Sequence, residues 1–108
     1  RFMIKVGDKI KSISVADIEL FYSLDKGTFL KTKQGRNYLI EYSLDAVMHD
    51  LDPALFYRVN RKHIVTIDSV SEIIAHTNSR LKLVVTDFDD EIIVARERVK
   101  EFKEWLDS

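Results

Sequence analysis

The chain has 108 residues, of which 45% are hydrophobic and none is cysteine, and its formal net charge at pH 7 is −1. This length is that of one domain with a sizeable core, and the lack of cysteine excludes disulfides, thiolate metal sites and cysteine nucleophiles. The near-neutral charge argues against a uniformly basic nucleic-acid binder, and without a signal peptide or bilayer-length apolar run we expect a cytoplasmic protein with no membrane segment.

About nine short β-rich segments follow one another along the chain, with turn residues at hairpin intervals. In chain order they are FMIKV, IKSISV, DIELFYSL, TFLKTK, YLIEY, HIVTI, VSEIIAH, LKLVV and EIIVA. Short connections such as GD and DKG favour hairpins, and this pattern is typical of an antiparallel all-β domain. The acidic segment DFDD at 87–90 lacks the spacing of a calcium loop, and we interpret it as a solvated hairpin tip.

Two segments have helical rather than strand periodicity. SLDAVMHDLDP contains four apolar residues at helical spacing after Ser43, a suitable N-cap, and Pro53 stops the helix. ERVKEFKEWLDS contains a second apolar stripe that includes Val99, Phe102 and Leu106. We expect both helices to pack against the sheets, because neither presents cationic residues along one face as a recognition helix does.

Charge is segregated along the chain. The first eleven residues contain four cationic side chains and one carboxylate, whereas 87–91 is acidic apart from Phe88. Arg58, Arg61 and Lys62 fall within five residues directly before the strand HIVTI, with Asn60 among them. This local cationic cluster indicates a binding surface that the net charge does not reveal.

Residue types needed for catalysis do not form a recognisable site. The three histidines, His49, His63 and His76, lie far apart, and none belongs to a short-spaced metal motif. The three glycines all fall in turns, so there is no phosphate-binding loop, and the serines lack a nucleophile-elbow context. We therefore expect a binding protein with no enzymatic activity, no metal site and no cofactor.

LFYRVNRKHIVTIDSV, just before and within the sixth segment, resembles the signature of the LytTR (LytR/AlgR-type) DNA-binding domain. DIELFYSLDKGTFLKTKQGRNYLIEYSLD resembles that family's second hairpin and short helix, and EIIVARERVKEF resembles its closing strand and turn, with Ala95 where Ser is commoner. The resemblance implies a mainly β fold of compact antiparallel strands in several small sheets, with one short internal helix and a C-terminal helix. It implies one domain over residues 1–108.

The resemblance also implies sequence-specific binding of double-stranded DNA by loops inserted into major grooves. The base contacts that it implies are Arg61, Asn60, Arg96, Thr28 and Lys26. Phosphate contacts are expected from Arg58, Lys62, Lys31, Lys33 and Arg98. A guanidinium donates two parallel hydrogen bonds to guanine O6 and N7, whereas phosphate contacts set register and supply salt-dependent affinity. For Arg58 the alternative is a structural role that ties the loop to the acidic helix region, and for Asn60 it is orientation of the loop.

Members of this family are typically the C-terminal output domains of bacterial two-component response regulators. The resemblance therefore implies an N-terminal receiver domain in the full-length protein, and the start of the chain at Arg1 fits a domain excised from a longer protein. We expect the isolated domain to be monomeric, with pairing on DNA left open. Two alternatives remain, a β-rich protein-interaction module and a single-stranded nucleic-acid binder.

Overall fold

A computed structural model describes residues 2–108, and Arg1, one of the cationic residues of the amino-terminal segment, lies outside them. The described chain forms ten β-strands: β1 (Phe2–Val6), β2 (Lys9–Ile13), β3 (Ile18–Leu24), β4 (Gly27–Thr32), β5 (Asn37–Ile40), β6 (Phe56–Asn60), β7 (His63–Thr66), β8 (Val70–His76), β9 (Arg80–Val85) and β10 (Phe88–Val94). Two α-helices accompany them, α1 (Leu44–Asp50) and α2 (Val99–Leu106).

The strands described form three antiparallel sheets. The β1–β2 hairpin is the smallest, β8, β9 and β10 form a three-stranded sheet in the order β10-β9-β8, and five strands form the central sheet in the order β5-β4-β3-β7-β6. The predicted fold, mainly β in several small sheets with an internal and a C-terminal helix, is confirmed.

The central sheet is buried on both faces, and each face contributes to a separate hydrophobic core. Phe21 and Ile64 are directly opposite in β3 and β7 and lie in the first core, with the β1–β2 hairpin and α1. Leu20 and Val65, the next opposed pair, lie in the second core, with the three-stranded sheet and α2. Side chains of successive strand residues point to opposite faces, so a strand covered on both faces is apolar throughout, as IELFYSL largely is.

The two helices pack as the apolar periodicity predicts. The Ser43 hydroxyl accepts a hydrogen bond from the Ala46 amide at 3.1 Å, which caps α1 at its first turn. Phe102 and Trp105 of α2 are buried in the second core, and the Trp105 indole donates to the Pro53 carbonyl oxygen at 3.0 Å. Neither helix presents a cationic face, and both helices act as packing elements.

Two strand boundaries differ from the sequence prediction. The charged segment FYRVN, which was not predicted as a strand, forms β6 at the edge of the central sheet, because Phe56 and Val59 are fully buried and β7 supplies the ladder. The acidic hairpin tip is also wrong in its position, since the turn falls at Thr86–Asp87 and β10 begins at Phe88. Packing of Phe88 on Tyr22, with ring centroids 5.1 Å apart, stabilises this longer strand.

Candidate nucleic-acid interface

The turn between β6 and β7 presents Arg61 and Lys62, both exposed, and the Asn60 side chain fixes its shape. Asn60 Oδ1 accepts from the Lys62 amide at 2.7 Å and lies 3.1 Å from His63 Nδ1, while Asn60 Nδ2 donates to the Ile93 carbonyl oxygen at 2.7 Å. A bidentate contact to adenine needs both amide atoms. Both amide atoms of Asn60 are engaged within the protein, where they fix the turn and tie it to β10. These bonds favour a role in orienting the loop, and the base contact of Asn60 stays a prediction.

Arg58 supports the same turn from the protein side. Its Nε donates to the Asn60 carbonyl oxygen at 3.2 Å and its Nη2 donates to the Arg61 carbonyl oxygen at 2.8 Å, while Nη1 pairs with Asp45 of α1. The hydrogen bond and charge of Arg58 lower the pKa of Asp45 below its usual value. These bonds are those of the alternative, a structural role that ties the loop to the helix region, and the phosphate contact of Arg58 stays a prediction.

The segment after β10 brings a second pair of arginines to the β6–β7 turn. The Ala95 amide donates to the Val59 carbonyl oxygen at 3.3 Å, which places the 3₁₀ turn Arg96–Arg98 beside β6. Arg98 is half-buried and donates from Nη1 to the Arg58 carbonyl oxygen at 3.1 Å. Arg96 is exposed.

Arg61 and Arg96 line one open groove between these two turns. The groove's charged lining consists of five cationic side chains and two carboxylates, namely Arg61, Lys62, Arg80, Arg96, Arg98, Glu91 and Glu97. Neither the Arg61 nor the Arg96 guanidinium has a hydrogen-bond or ion-pair partner among residues 2–108. Their donors are available to an anionic or hydrogen-bonding ligand.

Arg80, which no sequence motif singles out, enters this groove from the end of the β8–β9 turn. Arg80 donates from Nε to the Thr77 carbonyl oxygen and from Nη2 to Thr77 Oγ1, both at 3.0 Å. Asn78 and Ser79 of that turn have positive φ, 57° and 61°. One arginine after a polar turn is a weak sequence signal, and only the docking of the three-stranded sheet places it beside Arg96.

The β3–β4 hairpin approaches the β6–β7 turn without joining the groove. The Ser23 amide donates to the Lys62 carbonyl oxygen at 2.9 Å, so both turns lie at the same end of the central sheet. Lys26, at the tip, is exposed, whereas Thr28 is half-buried in β4. Both line a different concavity, against β1, β2 and β5, so the structure does not bring these two predicted base contacts together with Arg61.

The two remaining predicted phosphate contacts lie elsewhere. Lys31 is buried and forms an ion pair with Glu19, and its predicted phosphate contact is wrong because the ammonium is inside the protein. Lys33 is exposed, but its amide donates to the Asp17 carbonyl oxygen at 2.8 Å, at the end of the central sheet opposite to Arg61. The surface that contains Arg61 therefore retains Lys62 and Arg98 as the predicted phosphate contacts.

His63 lies beneath the turn and is only 7% exposed. Burial, which removes water from the charged form, lowers its pKa from 6.5 to about 4; Asp90 acts in the opposite direction and Lys62 in the same direction. Because Asn60 Oδ1 is an acceptor, the neutral imidazole donates from Nδ1. The neutral ring therefore completes the hydrogen bonds of the turn.

Acidification is expected to destabilise the domain through His63. The folded state binds the proton less tightly than the unfolded state, so this contribution is complete above pH 6.5 and is lost as the pH falls towards 4. The shift corresponds to about 3 kcal/mol of unfolding free energy. Urea denaturation between pH 7 and 4 measures it, and His63→Gln, which cannot titrate, should show a shallower decline. Identical declines in the two proteins would contradict the assignment.

Within residues 2–108, no group of three or more histidine or acidic side chains is placed to bind a metal ion. None of the helices in that range combines the length and the apolar character that a bilayer crossing requires.

A cationic groove formed by turns, with its backbone fixed by internal hydrogen bonds, is typical of a β-rich nucleic-acid-binding domain. The chain belongs to the LytTR family, since residues 8–107 match the LytTr DNA-binding domain. LytTR is a DNA-binding family and not a catalytic one.

The chain is similar in sequence to transcriptional regulatory proteins and in structure to a solved LytTr DNA-binding domain. The transcriptional regulatory protein YpdB of Escherichia coli, strains CFT073 and K12, is 28% identical over 99 residues, which are 92% of this chain and 40% of YpdB. The same figures hold for YpdB of Shigella flexneri. A solved LytTr DNA-binding domain from Bacillus cereus has the same fold, with a TM-score of 0.82 at 20% identity over 97% of this chain and 94% of that one. The chain thus spans less than half the length of the curated relatives it matches.

Proposed function

We propose that this domain binds double-stranded DNA in a sequence-specific manner, with the β6–β7 turn and the Arg96–Arg98 turn inserted into the major groove. Arg61 and Arg96 contact base edges, and Lys62 and Arg98 contact phosphates. The observation that supports this assignment is that Arg61 and Arg96, from distant parts of the sequence, line the same groove with unpaired guanidinium groups. A guanidinium in such a position matches the two major-groove acceptors of guanine.

Rigidity of the β6–β7 turn supports the same proposal. Asn60 and Arg58 fix the backbone on both sides of Arg61 through bonds to Lys62, Ile93 and Arg61 itself. A turn that is ordered before binding loses little conformational entropy on DNA, so more of the contact energy appears as affinity.

In the full-length protein, the domain acts as the output domain of a response regulator that controls transcription in the cytoplasm, with a receiver on its N-terminal side. Two facts support this part of the proposal. The curated relatives are transcriptional regulatory proteins, and the matched region is 40% of their length, which leaves room for a further domain. DNA is accordingly the partner of this domain, and the receiver is the partner within the chain.

Composition of the groove favours duplex over single-stranded nucleic acid. Binding of single strands requires exposed aromatic rings on which bases stack. Among the described residues that line the groove, none is Phe, Tyr or Trp. Preference for a single strand over the same sequence as duplex would contradict the proposal.

Selection of bound duplexes from a random library, followed by titration over a range of salt concentrations, tests the function. We expect an enriched sequence whose affinity falls as the salt concentration rises. The slope of log binding constant against log salt concentration should be about −1.8 or steeper, because Lys62 and Arg98 each neutralise one phosphate. Lys62→Ala should make the slope shallower by about 0.9 and weaken selected and random duplexes alike. Lys103→Ala, on the exposed side of α2, is the matched control and should change neither.

An enriched sequence would not appear, or affinity would be insensitive to salt, if the domain were instead a protein-interaction module. That module is one of the two alternatives left open by the sequence, and this titration separates it from a DNA-binding domain.

A further inference from the structure

The strand β8 is a long, apolar and uncovered edge. It is the terminal strand of the three-stranded sheet and pairs only with β9 among the described strands, so one row of its backbone amide and carbonyl groups has no strand partner. Residues 71–75 are all exposed, and Ile73 and Ile74 are 44% and 42% exposed. Edge strands of soluble proteins are usually short, charged or covered, because an open apolar edge pairs with other chains.

Each face of this edge presents one exposed isoleucine. Ile73 is opposite Leu83, which is buried in the second core, so Ile73 extends the inner face of the sheet beyond the core. Ile74 is opposite Lys82 and lies on the outer face. A strand added to β8 would bury both isoleucines and satisfy the unpaired backbone row.

We propose that, contrary to the monomer expected from the sequence, β8 pairs antiparallel with β8 of a second copy of this chain, about a two-fold axis at Ile74. Such an axis is perpendicular to the sheet and keeps each side chain on its own face. In this register Ile74 meets Ile74 of the second copy, Ile73 meets its Ala75, and Glu72 meets its His76. The two-fold axis produces the Ile73–Ala75 and Glu72–His76 contacts twice. Apolar side chains therefore meet at the centre of the interface, and at each end Glu72 meets His76, a hydrogen-bond donor.

Neighbouring registers are less complementary. Centring the axis on Ile73 places Glu72 against Ile74 of the second copy and His76 against its Val70. Centring it on Ala75 places Glu72 against Asn78, which has a left-handed backbone with φ of 57° and lies outside the strand. Of these three registers, the one at Ile74 is therefore the most complementary for the pairing of two copies of β8.

The pairing is weak, and it leaves the DNA groove free. A register shift before Glu72 interrupts the regular ladder near the start of β8, so five residues, Glu72–His76, pair with the second copy. Five paired residues per copy give an interface of at most about 1,200 Å², the size of transient contacts. No residue of β8 lines the groove that contains Arg61. The pairing is thus independent of the proposed function, and a failure of DNA binding would not affect it.

Sedimentation equilibrium of this domain tests the pairing without DNA. The weight-average mass of the unmodified chain should rise towards twice the monomer mass between about 10 μM and 1 mM. Ile74→Lys, which places two ammonium groups together at the axis, should raise the dissociation constant at least about tenfold. Leu39→Lys, at a 61% exposed position on the edge strand β5, is the matched control and should behave as the unmodified chain.

A mass that stays at the monomer value throughout this range would overturn the pairing. Dissociation by Leu39→Lys, with no effect of Ile74→Lys, would overturn it as well. Circular dichroism of each variant verifies that the fold is intact.

The register has its own test. His76→Glu places two carboxylates opposite each other and should weaken the dimer, whereas Glu72→His combined with His76→Glu exchanges the two groups and should restore it. Recovery in the double variant supports the register at Ile74, and continued dissociation overturns it.

Discussion

Replacement of Arg61 by alanine is expected to weaken binding to the selected duplex by about 5- to 150-fold. One bidentate contact to a base is worth about 1–3 kcal/mol of discrimination. Alanine at position 61 has no side-chain donor with which to make this contact. Affinity for a random duplex should fall much less, since only one positive charge is removed. Fluorescence anisotropy with both duplexes at one salt concentration measures the two effects.

Two control variants make this result specific. Arg61→Lys keeps the charge but not the planar pair of donors, so it should retain affinity for random duplex and lose discrimination. Lys33→Ala removes an exposed cation at the opposite end of the central sheet and should leave both affinities unchanged. Equal losses on the selected and random duplexes after Arg61→Ala would show that Arg61 contacts a phosphate and not a base.

Lys31→Met is expected to lower the unfolding free energy by about 3–5 kcal/mol, because it leaves the Glu19 carboxylate buried without its partner. The Lys31 and Glu19 side chains are 4% and 7% exposed, on neighbouring positions of the β3–β4 hairpin. Domains of this size have total stabilities of about 5–15 kcal/mol, so the variant should be close to unfolding. Urea denaturation at pH 7 measures the change.

The double variant Glu19→Leu with Lys31→Met is the decisive comparison. It removes both charges and substitutes apolar groups of similar size, and its stability should return to within about 1 kcal/mol of the unmodified chain. Lys82→Met breaks the exposed pair with Glu91, 3.7 Å apart, and should cost less than about 1 kcal/mol. Similar costs for Lys31→Met and Lys82→Met would contradict the special role of the buried pair.

Much of the fold was predictable, because local patterns determine it. Alternation and turn residues located nine of the ten described strands, and Ser43 and the apolar spacing after it located α1. The strand β6 was missed because it contains a charged residue, Arg58, and a polar one, Asn60, which fit a strand at the edge of a sheet. That edge position follows only from the pairing of β6 with β7.

The groove was predictable in part. The cluster around Arg61 and the motif around Arg96 are visible in sequence, but their proximity depends on the docking of β10 against β6. The roles of Asn60 and Arg58 depend on Ile93 and Asp45, which are distant in sequence. The sequence did not reveal that Lys31 is buried with Glu19. The β3–β4 register is irregular around Glu19, and tertiary packing, not local sequence, sets that register.

Arg61, at the tip of the β6–β7 turn, is not one of the residues whose side chains shape the turn, and this separation affects how the sequence of the domain can diverge. Asn60 and Arg58 determine the course of the backbone, while the Arg61 side chain makes no bond within the described chain. Position 61 can therefore change without loss of folding stability, and if Arg61 contacts a base as proposed above, a single substitution there changes the preferred DNA sequence. Under the proposed function, domains of this architecture acquire new DNA targets while their fold stays the same.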